Sequence, residues 1–227
     1  MNRTSDSFWK NMAGVVTSPG DTLGRLMKEK KWVPVFLLIL VVMIIFAYVA
    51  IPYQTERLSQ NPDFSEEQIL FLKNNTMLSR LMAGGMAAVG MFISIAVGAF
   101  FVYLFYGIGG VEGTYSEFFS LVVNASVIDT AIPNVINTVF LLFWGSLAIF
   151  PNAALLVPGL EANSFTFLAL SRIELFSVWY IVALSAGAAV FAGLRFKKTL
   201  FVGIIYFMFK TLTGVGFSYL VLKIFHG

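Results

Sequence analysis

Long apolar runs, separated by short polar or glycine-rich turns, dominate the pattern of hydrophobic and polar positions along this chain. The first run, residues 33–52, is long enough as an α-helix to cross a hydrocarbon core of roughly 30 Å. Comparable runs cover about residues 81–106, 173–194 and 199–224. The pattern therefore predicts an all-α protein, a polytopic bundle of transmembrane helices.

Residues 115–150 are harder to interpret, because a straight helix of this length would measure about 54 Å and Pro133 lies in its middle. The segment is either one span, kinked or broken at Pro133, or a re-entrant segment followed by a span. Basic clusters precede the first run and separate the last two runs. The positive-inside rule puts both clusters in the cytoplasm if 115–150 crosses once. We therefore predict five spans, with a cytoplasmic N-terminus and an external C-terminus.

The segment before the first span has an amphipathic helical pattern. Its apolar residues share one helical face at Phe8, Met12, Val15 and Val16, and Ser18 precedes a proline in a typical helix start. Residues 1–32 are predicted to be a cytoplasmic amphipathic segment, and residues 33–227 a transmembrane domain. Because the segment is also basic, it is either a helix lying on anionic lipid or an ordinary cytoplasmic flank.

Composition excludes several classes of function. The chain is 58% hydrophobic and 12% charged, whereas soluble domains carry roughly a quarter charged residues. It has no Cys and a single His, His226, so the usual thiol, zinc and Ser-His-Asp sites lack their residues. A net charge of +3 without a basic-aromatic stripe does not indicate nucleic-acid binding. We predict no catalytic residues, no metal and no cofactor.

Two short polar patterns predict helix starts. Thr114 and Glu117 form a capping-box pattern before the third span, and Ser65 with Gln68 forms another that predicts a short external helix. The glycine-rich stretch before Thr114 lacks the preceding strand and the following lysine of a phosphate-binding loop. We interpret it as a tight cytoplasmic turn, which includes Gly109, Gly110 and Gly113.

Small residues recur every four positions in two of the spans. They are Gly90, Ser94 and Gly98 in the second span, and Ser185, Ala189 and Gly193 in the fourth. Such spacing lets helix backbones approach closely in a membrane. We predict that both sets pack within the chain, with a homodimer seam as the alternative.

A polar stripe marks the third span. Its residues, which would share one face of an ideal helix, are Ser126, Asp129, Thr130, Pro133 and Asn137. Lys210 lies within the fifth span, at a depth similar to that of Asp129. Ionisable residues are rare inside membranes, so we predict that Asp129 and Lys210 pair. The pair is either structural, joining two helices, or part of a transport site.

Several short motifs give the chain a resemblance to Yip-family membrane proteins, with Ser18-Pro19 resembling the prokaryotic branch. The motifs are Gly109-Gly110, Tyr115-Ser116-Glu117-Phe118-Phe119, Ala131-Ile132-Pro133, Phe176-Ser177-Val178-Trp179, Gly187 and Lys197-Lys198. The resemblance implies a five-span bundle without established catalytic residues. It links eukaryotic members to small GTPases through larger cytosolic regions, and some bacterial members to ABC-type exporters.

From this resemblance we expect a non-enzymatic adaptor in the bacterial inner membrane, which assembles with other membrane proteins or with itself. The alternative is a small transporter or ion-conducting protein that uses Asp129 and Lys210.

Overall fold

The computed structural model describes residues 8–58, 76–161 and 164–226, together with the isolated positions 67, 70 and 74. The predicted external helix at Ser65 and Gln68 lies outside these residues. The helices are α1 (Phe8–Thr17), α2 (Pro19–Glu29), α3 (Val33–Leu58), α4 (Thr76–Ile108), α5 (Tyr115–Ser126), α6 (Ile132–Trp144), α7 (Phe165–Ser171), α8 (Leu175–Ala192) and α9 (Phe196–His226). A π-helical segment, Val127–Ala131, joins α5 to α6, and a 3₁₀ turn spans Ala153–Leu156.

Within the described residues, five helical stretches are long and apolar enough to cross a membrane. Helices α3, α4, α8 and α9 supply four of them, and α5, the π segment and α6 together supply the fifth, Tyr115–Trp144. The prediction of an all-α polytopic bundle with five spans is confirmed. Helix α3 continues past the apolar run to Leu58, because helical structure does not have to stop where the lipid-compatible residues stop.

The third span is one helical stretch, broken just before Pro133. In the π segment the backbone bonds reach one residue farther than in an α-helix, which widens the turn. Proline has no N–H, so the α-helical bond to the carbonyl of Asp129 cannot form, and the wider turn falls where that bond is missing. The span ends at Gly145, whose φ of 65° is a left-handed helix cap.

Helix α2 is part of the bundle core, although it precedes the first span. Its apolar face, which includes Leu23 and Met27, is fully buried. Helices α2 and α8 meet at two glycines. A Cβ atom on Gly24 would lie 2.9 Å from Val190, and one on Gly187 would lie 2.6 Å from Leu23. The two helices therefore approach more closely than residues with side chains would allow.

Candidate functional site

The structure brings Asp129 and Lys210 together near the middle of the bundle. Asp129 lies fourteen positions after Tyr115, the first residue of its span, and Lys210 lies fourteen positions after Phe196, the first residue of its own. Fourteen residues correspond to about 21 Å along a helix. The Lys210 Nζ is 3.8 Å from Asp129 Oδ2, and the Thr130 hydroxyl donates to Asp129 Oδ1 at 3.1 Å. The Asp129 side chain is 15% exposed, whereas that of Lys210 is 52% exposed. Lysine is thus the accessible member of the pair.

Apart from Thr130, the other stripe residues do not converge on this pair. The Ser126 hydroxyl is buried and donates to the carbonyl of Val122 within its own helix. Asn137 accepts a hydrogen bond from the backbone N–H of Ala148, beyond the end of α6. The prediction of a single polar face is wrong, because the π segment shifts the helical phase by about one residue, roughly 100°. Pro133 is buried beside the break.

Buried tyrosines surround the pair, and the sequence analysis did not single them out. Tyr180 and Tyr206 are 4% and 2% exposed, and the Lys210 ammonium lies 5.2 Å from the centre of the Tyr180 ring. The Tyr106 hydroxyl is 2.8 Å from Ser185 Oγ in α8. The sequence did contain a signal for them, namely tyrosines inside otherwise apolar runs. A buried phenol needs a hydrogen-bond partner, so such tyrosines indicate a polar contact inside the bundle.

The two ladders of small residues behave differently. In α8, Ser185 and Ala189 are buried, whereas Gly193 caps the helix with a φ of 65° instead of packing. In α4, a Cβ atom on Gly90 would meet no described atom within 4 Å. The prediction of close internal packing is therefore wrong at Gly90.

The α4 ladder instead lines a cavity of about 350 Å³ between α4 and α9. We call this cavity the α4–α9 groove. Its polar or small lining residues are Gly90, Ser94, Gly98, Tyr206, Lys210 and Thr213. Lys210, the half-exposed member of the ion pair, therefore lies on one wall, and the α4 wall opposite includes three small residues between larger apolar ones.

The glycines of the turn before α5 are explained by close packing and by backbone conformation. Gly109 lies against α9, where a Cβ atom would come within 2.6 Å of Val202, and Gly110 has a φ of 84°. The Glu117 carboxylate accepts hydrogen bonds from the backbone N–H and the hydroxyl of Thr114, at 2.7 and 2.9 Å. These contacts start α5. A Cβ atom on Gly113 would be 3.2 Å from two aromatic rings, so this position is also tightly packed.

Residues of α5 that the sequence analysis missed hold the end of α2. The Ser120 hydroxyl donates to the carbonyl of Leu26, and Asn124 Nδ2 donates to the carbonyl of Lys31, both at 2.9 Å. Glu117 adds a 3.7 Å contact to Lys30 Nζ. The spacing of 117, 120 and 124 places them on one helical face, a signal that was present in the sequence. No group of three or more His, Cys, Asp and Glu in the described part of the chain could hold a metal ion.

A protein-family model described as the Yip1 domain matches residues 13–218. The match includes α2 as well as all five spans up to the last turns of α9. No curated protein matches the chain, and no solved structure does.

Proposed function

This chain belongs to the Yip1 domain family, and from that premise we propose that it is a membrane adaptor that binds another membrane protein through the α4–α9 groove. The family consists of non-catalytic membrane proteins associated with membrane trafficking. The observation that carries the proposal is the half-exposed Lys210 on one wall of a groove whose other wall includes the small residues Gly90, Ser94 and Gly98.

The small wall of the groove suits a helix. Gly90, Ser94 and Gly98 present little side-chain bulk, and such surfaces let a second helix backbone approach closely in lipid. Lipid-facing positions elsewhere on α4 carry large side chains, such as Phe92 and Phe100, which are about half exposed. The groove therefore differs in shape from the rest of the helix surface.

Lys210 offers hydrogen-bond donors to a helix that binds in the groove. Its ammonium has three hydrogen-bond donors, and the Asp129 carboxylate lies on only one side, at 3.8 Å. Lipid tails offer no acceptor at this depth. A partner helix with an amide or hydroxyl side chain at the same depth would satisfy the remaining donors without adding net charge. This pairing would give the groove specificity as well as fit.

In this proposal the N-terminus is cytoplasmic, the C-terminus is external and the protein lies in a bacterial inner membrane, where its partner is an ABC-type exporter. The orientation is supported by the basic residues before α3 and between α8 and α9. Anionic lipid would contact the exposed basic residues of α2, such as Lys28, since the apolar face of that helix is covered by protein.

The test compares two glycines of α4. A Cβ atom added at either Gly90 or Gly85 would meet no described atom within 4 Å, so leucine at either position should leave folding unchanged, yet only Gly90 lines the groove. Tagged protein is extracted from native membranes in mild detergent, and co-purified proteins are identified by mass spectrometry. We expect a stoichiometric membrane partner with the wild type and Gly85→Leu, and its loss with Gly90→Leu.

Retention of the partner by Gly90→Leu would refute the groove as the interface. Repeated recovery of the wild-type chain alone would refute the adaptor function. Recovery of a second, differently tagged copy of this chain, lost with Gly90→Leu, would replace the heterologous partner by a homodimer.

A small transporter is the second candidate, because a half-exposed charge at mid-depth beside a cavity is also a feature of transport pathways. Reconstituted liposomes separate the two functions. A transporter would show ion or solute flux that is lost with Asp129→Asn, whereas an adaptor would show none with either protein.

A further inference from the structure

The fourth span is much shorter than the third. Helix α8 has 18 residues, about 27 Å, whereas the third span has 30 residues, about 45 Å. The two spans are level at the glycine-rich turn, because a Cβ atom on Gly113, just before α5, would lie 3.2 Å from the ring of Phe191 at the end of α8. At the opposite end of the bundle, α8 therefore begins about 18 Å below the last residue of α6.

The polypeptide covers this distance by turning back into the bundle after α6. The Ala148 N–H donates to Asn137 Oδ1 at 3.0 Å, although Asn137 lies about two turns before the end of α6. The Leu175 N–H, at the first residue of α8, donates to the carbonyl of Pro151 at 3.3 Å. Residues 146–151 therefore run back along α6 as far as the start of α8.

This return takes place at the depth of the hydrocarbon core. The apolar run of α3 ends at Pro52, and the ring of the next residue, Tyr53, lies 3.6 Å from the position of a Cβ atom on Gly145. The first span therefore leaves the hydrocarbon at about the level where α6 ends. Since the core is roughly 30 Å thick, a point about 18 Å below that level lies inside it. Irregular backbone occurs at such depth only where protein or a water-filled cavity surrounds it.

The returning segment has an exposed apolar surface. Residues 146–160 include no charged residue. Ile149, Leu155 and Leu156 are 84%, 62% and 81% exposed, and along the chain they follow the equally exposed Phe143 of α6. The 3₁₀ turn that contains Leu155 and Leu156 rises about 2 Å per residue, so these side chains stay within roughly 8 Å of the start of α8. Large apolar side chains that are exposed at this depth face lipid.

The base of the segment, beside the start of α8, is polar. Arg172 is exposed, and Glu174 accepts a hydrogen bond from the hydroxyl of Ser177 at 3.3 Å. Ionisable side chains at hydrocarbon depth face the protein interior or a water-filled cavity. Because Arg172 is not enclosed by protein, water has to reach it.

We propose that residues 146–157 form a re-entrant segment, whose exposed apolar side chains contact the acyl chains of one leaflet and whose base beside α8 is reached by water. The leaflet is the outer one in the orientation proposed above. The segment replaces the missing end of the fourth span, so that a helix of 18 residues suffices in a bundle of longer ones. This segment is independent of the α4–α9 groove and of the adaptor function.

Single cysteines in the full-length chain, which has no native Cys, test the proposal in liposomes. A charged thiol reagent is present on both sides of the membrane, so orientation does not matter. Leu156→Cys and Ile149→Cys should resist it, because the reacting thiolate does not form in hydrocarbon. Val41→Cys, at a position of α3 that is 53% exposed, is the control for lipid. Glu161→Cys, at an exposed position, and Arg172→Cys, at the base, should react.

A second measurement identifies what covers the unreactive thiols. An NBD fluorophore attached to Leu156→Cys should be quenched by phospholipids with a nitroxide on the acyl chain as strongly as one attached to Val41→Cys. The same fluorophore on Glu161→Cys should not be quenched. Complete reaction of every variant in SDS is the control for the thiols themselves.

Reaction of Leu156→Cys and Ile149→Cys as fast as that of Glu161→Cys would overturn the proposal, because the segment would then lie in water. Protection from the reagent without quenching by the nitroxide would also overturn it, in favour of burial against protein. An unreactive Arg172→Cys would refute the access of water to the base.

Discussion

Removal of one charge from the Asp129–Lys210 pair is expected to destabilise the protein, and removal of both is expected to restore much of the loss. At the observed 3.8 Å the two charges attract by about 4 kcal/mol if the effective dielectric constant is about 20. A lone charge at the centre of a membrane helix costs about 2.5–3.5 kcal/mol on insertion scales. Because Lys210 is half exposed, we take the lower end and expect each single variant to lose about 2–3 kcal/mol.

The double variant, Asp129→Asn with Lys210→Met, should lie within about 1 kcal/mol of the wild type, because neither charge is stranded. The coupling energy of the cycle would then be at least about 3 kcal/mol. Unfolding is followed by the loss of helical circular dichroism as SDS is added to protein in mixed micelles. Lys210→Arg keeps the charge and should behave like the wild type, and Thr213→Val tests loss of a neutral polar group on the same groove.

Additive single effects, with a coupling energy below about 0.5 kcal/mol, would refute the pairing. Single variants as stable as the wild type would also refute it. If the double variant folds normally but no longer binds its partner, the pair serves recognition as well as stability.

Three further predictions concern topology and packing. The chain has no native Cys, so single Cys residues can be introduced and labelled selectively. A Cys in place of Glu161 should be labelled from outside intact cells, whereas one in place of Gly113 should not. External labelling at position 113 would contradict five spans with an internal N-terminus. Gly203→Ala should destabilise the bundle by about 1–3 kcal/mol, because its Cβ would lie 2.7 Å from a buried tyrosine hydroxyl, whereas Gly85→Ala should be neutral in the same SDS titration. Ser120→Ala should cost about 1 kcal/mol by removing the buried hydrogen bond from its hydroxyl to the Leu26 carbonyl, and an unchanged transition would show that this bond is not stabilising.

The five spans could be predicted because a membrane imposes a local rule. Each crossing helix needs a long apolar run, and this requirement is visible without any knowledge of neighbouring helices. The start of α5 at Thr114 was equally local, since a capping residue and its carboxylate partner are separated by one turn. These two predictions, which depended on a single run or a single turn, therefore agree with the structure, whereas the one at Ser65 and Gln68 falls outside the described residues.

Depth in the membrane was enough to predict that Asp129 and Lys210 lie close together, but other features that depend on distant parts of the chain were not predictable. Gly90 and Gly187 both belong to small, closely spaced residues, yet the first faces an open groove and the second touches α2. Spacing alone does not say which helix lies opposite. The π segment likewise shifts the phase of the polar stripe, so that Asn137 bonds beyond its own helix instead of joining Asp129.

The burial of α2 against α8 has a consequence for how the protein is made. Ribosomes synthesise α2 before any span, but Gly187, which receives it, emerges only after three spans have been inserted. At about 5–20 residues per second the delay is roughly 10–30 s. During this time the apolar side chains around Leu23 lack the helix that covers them most closely, so they depend on other cover, such as the lipid surface, earlier helices or a chaperone. The contact of α2 with α8 is thus completed late in synthesis, although α2 is among the first helices to be made.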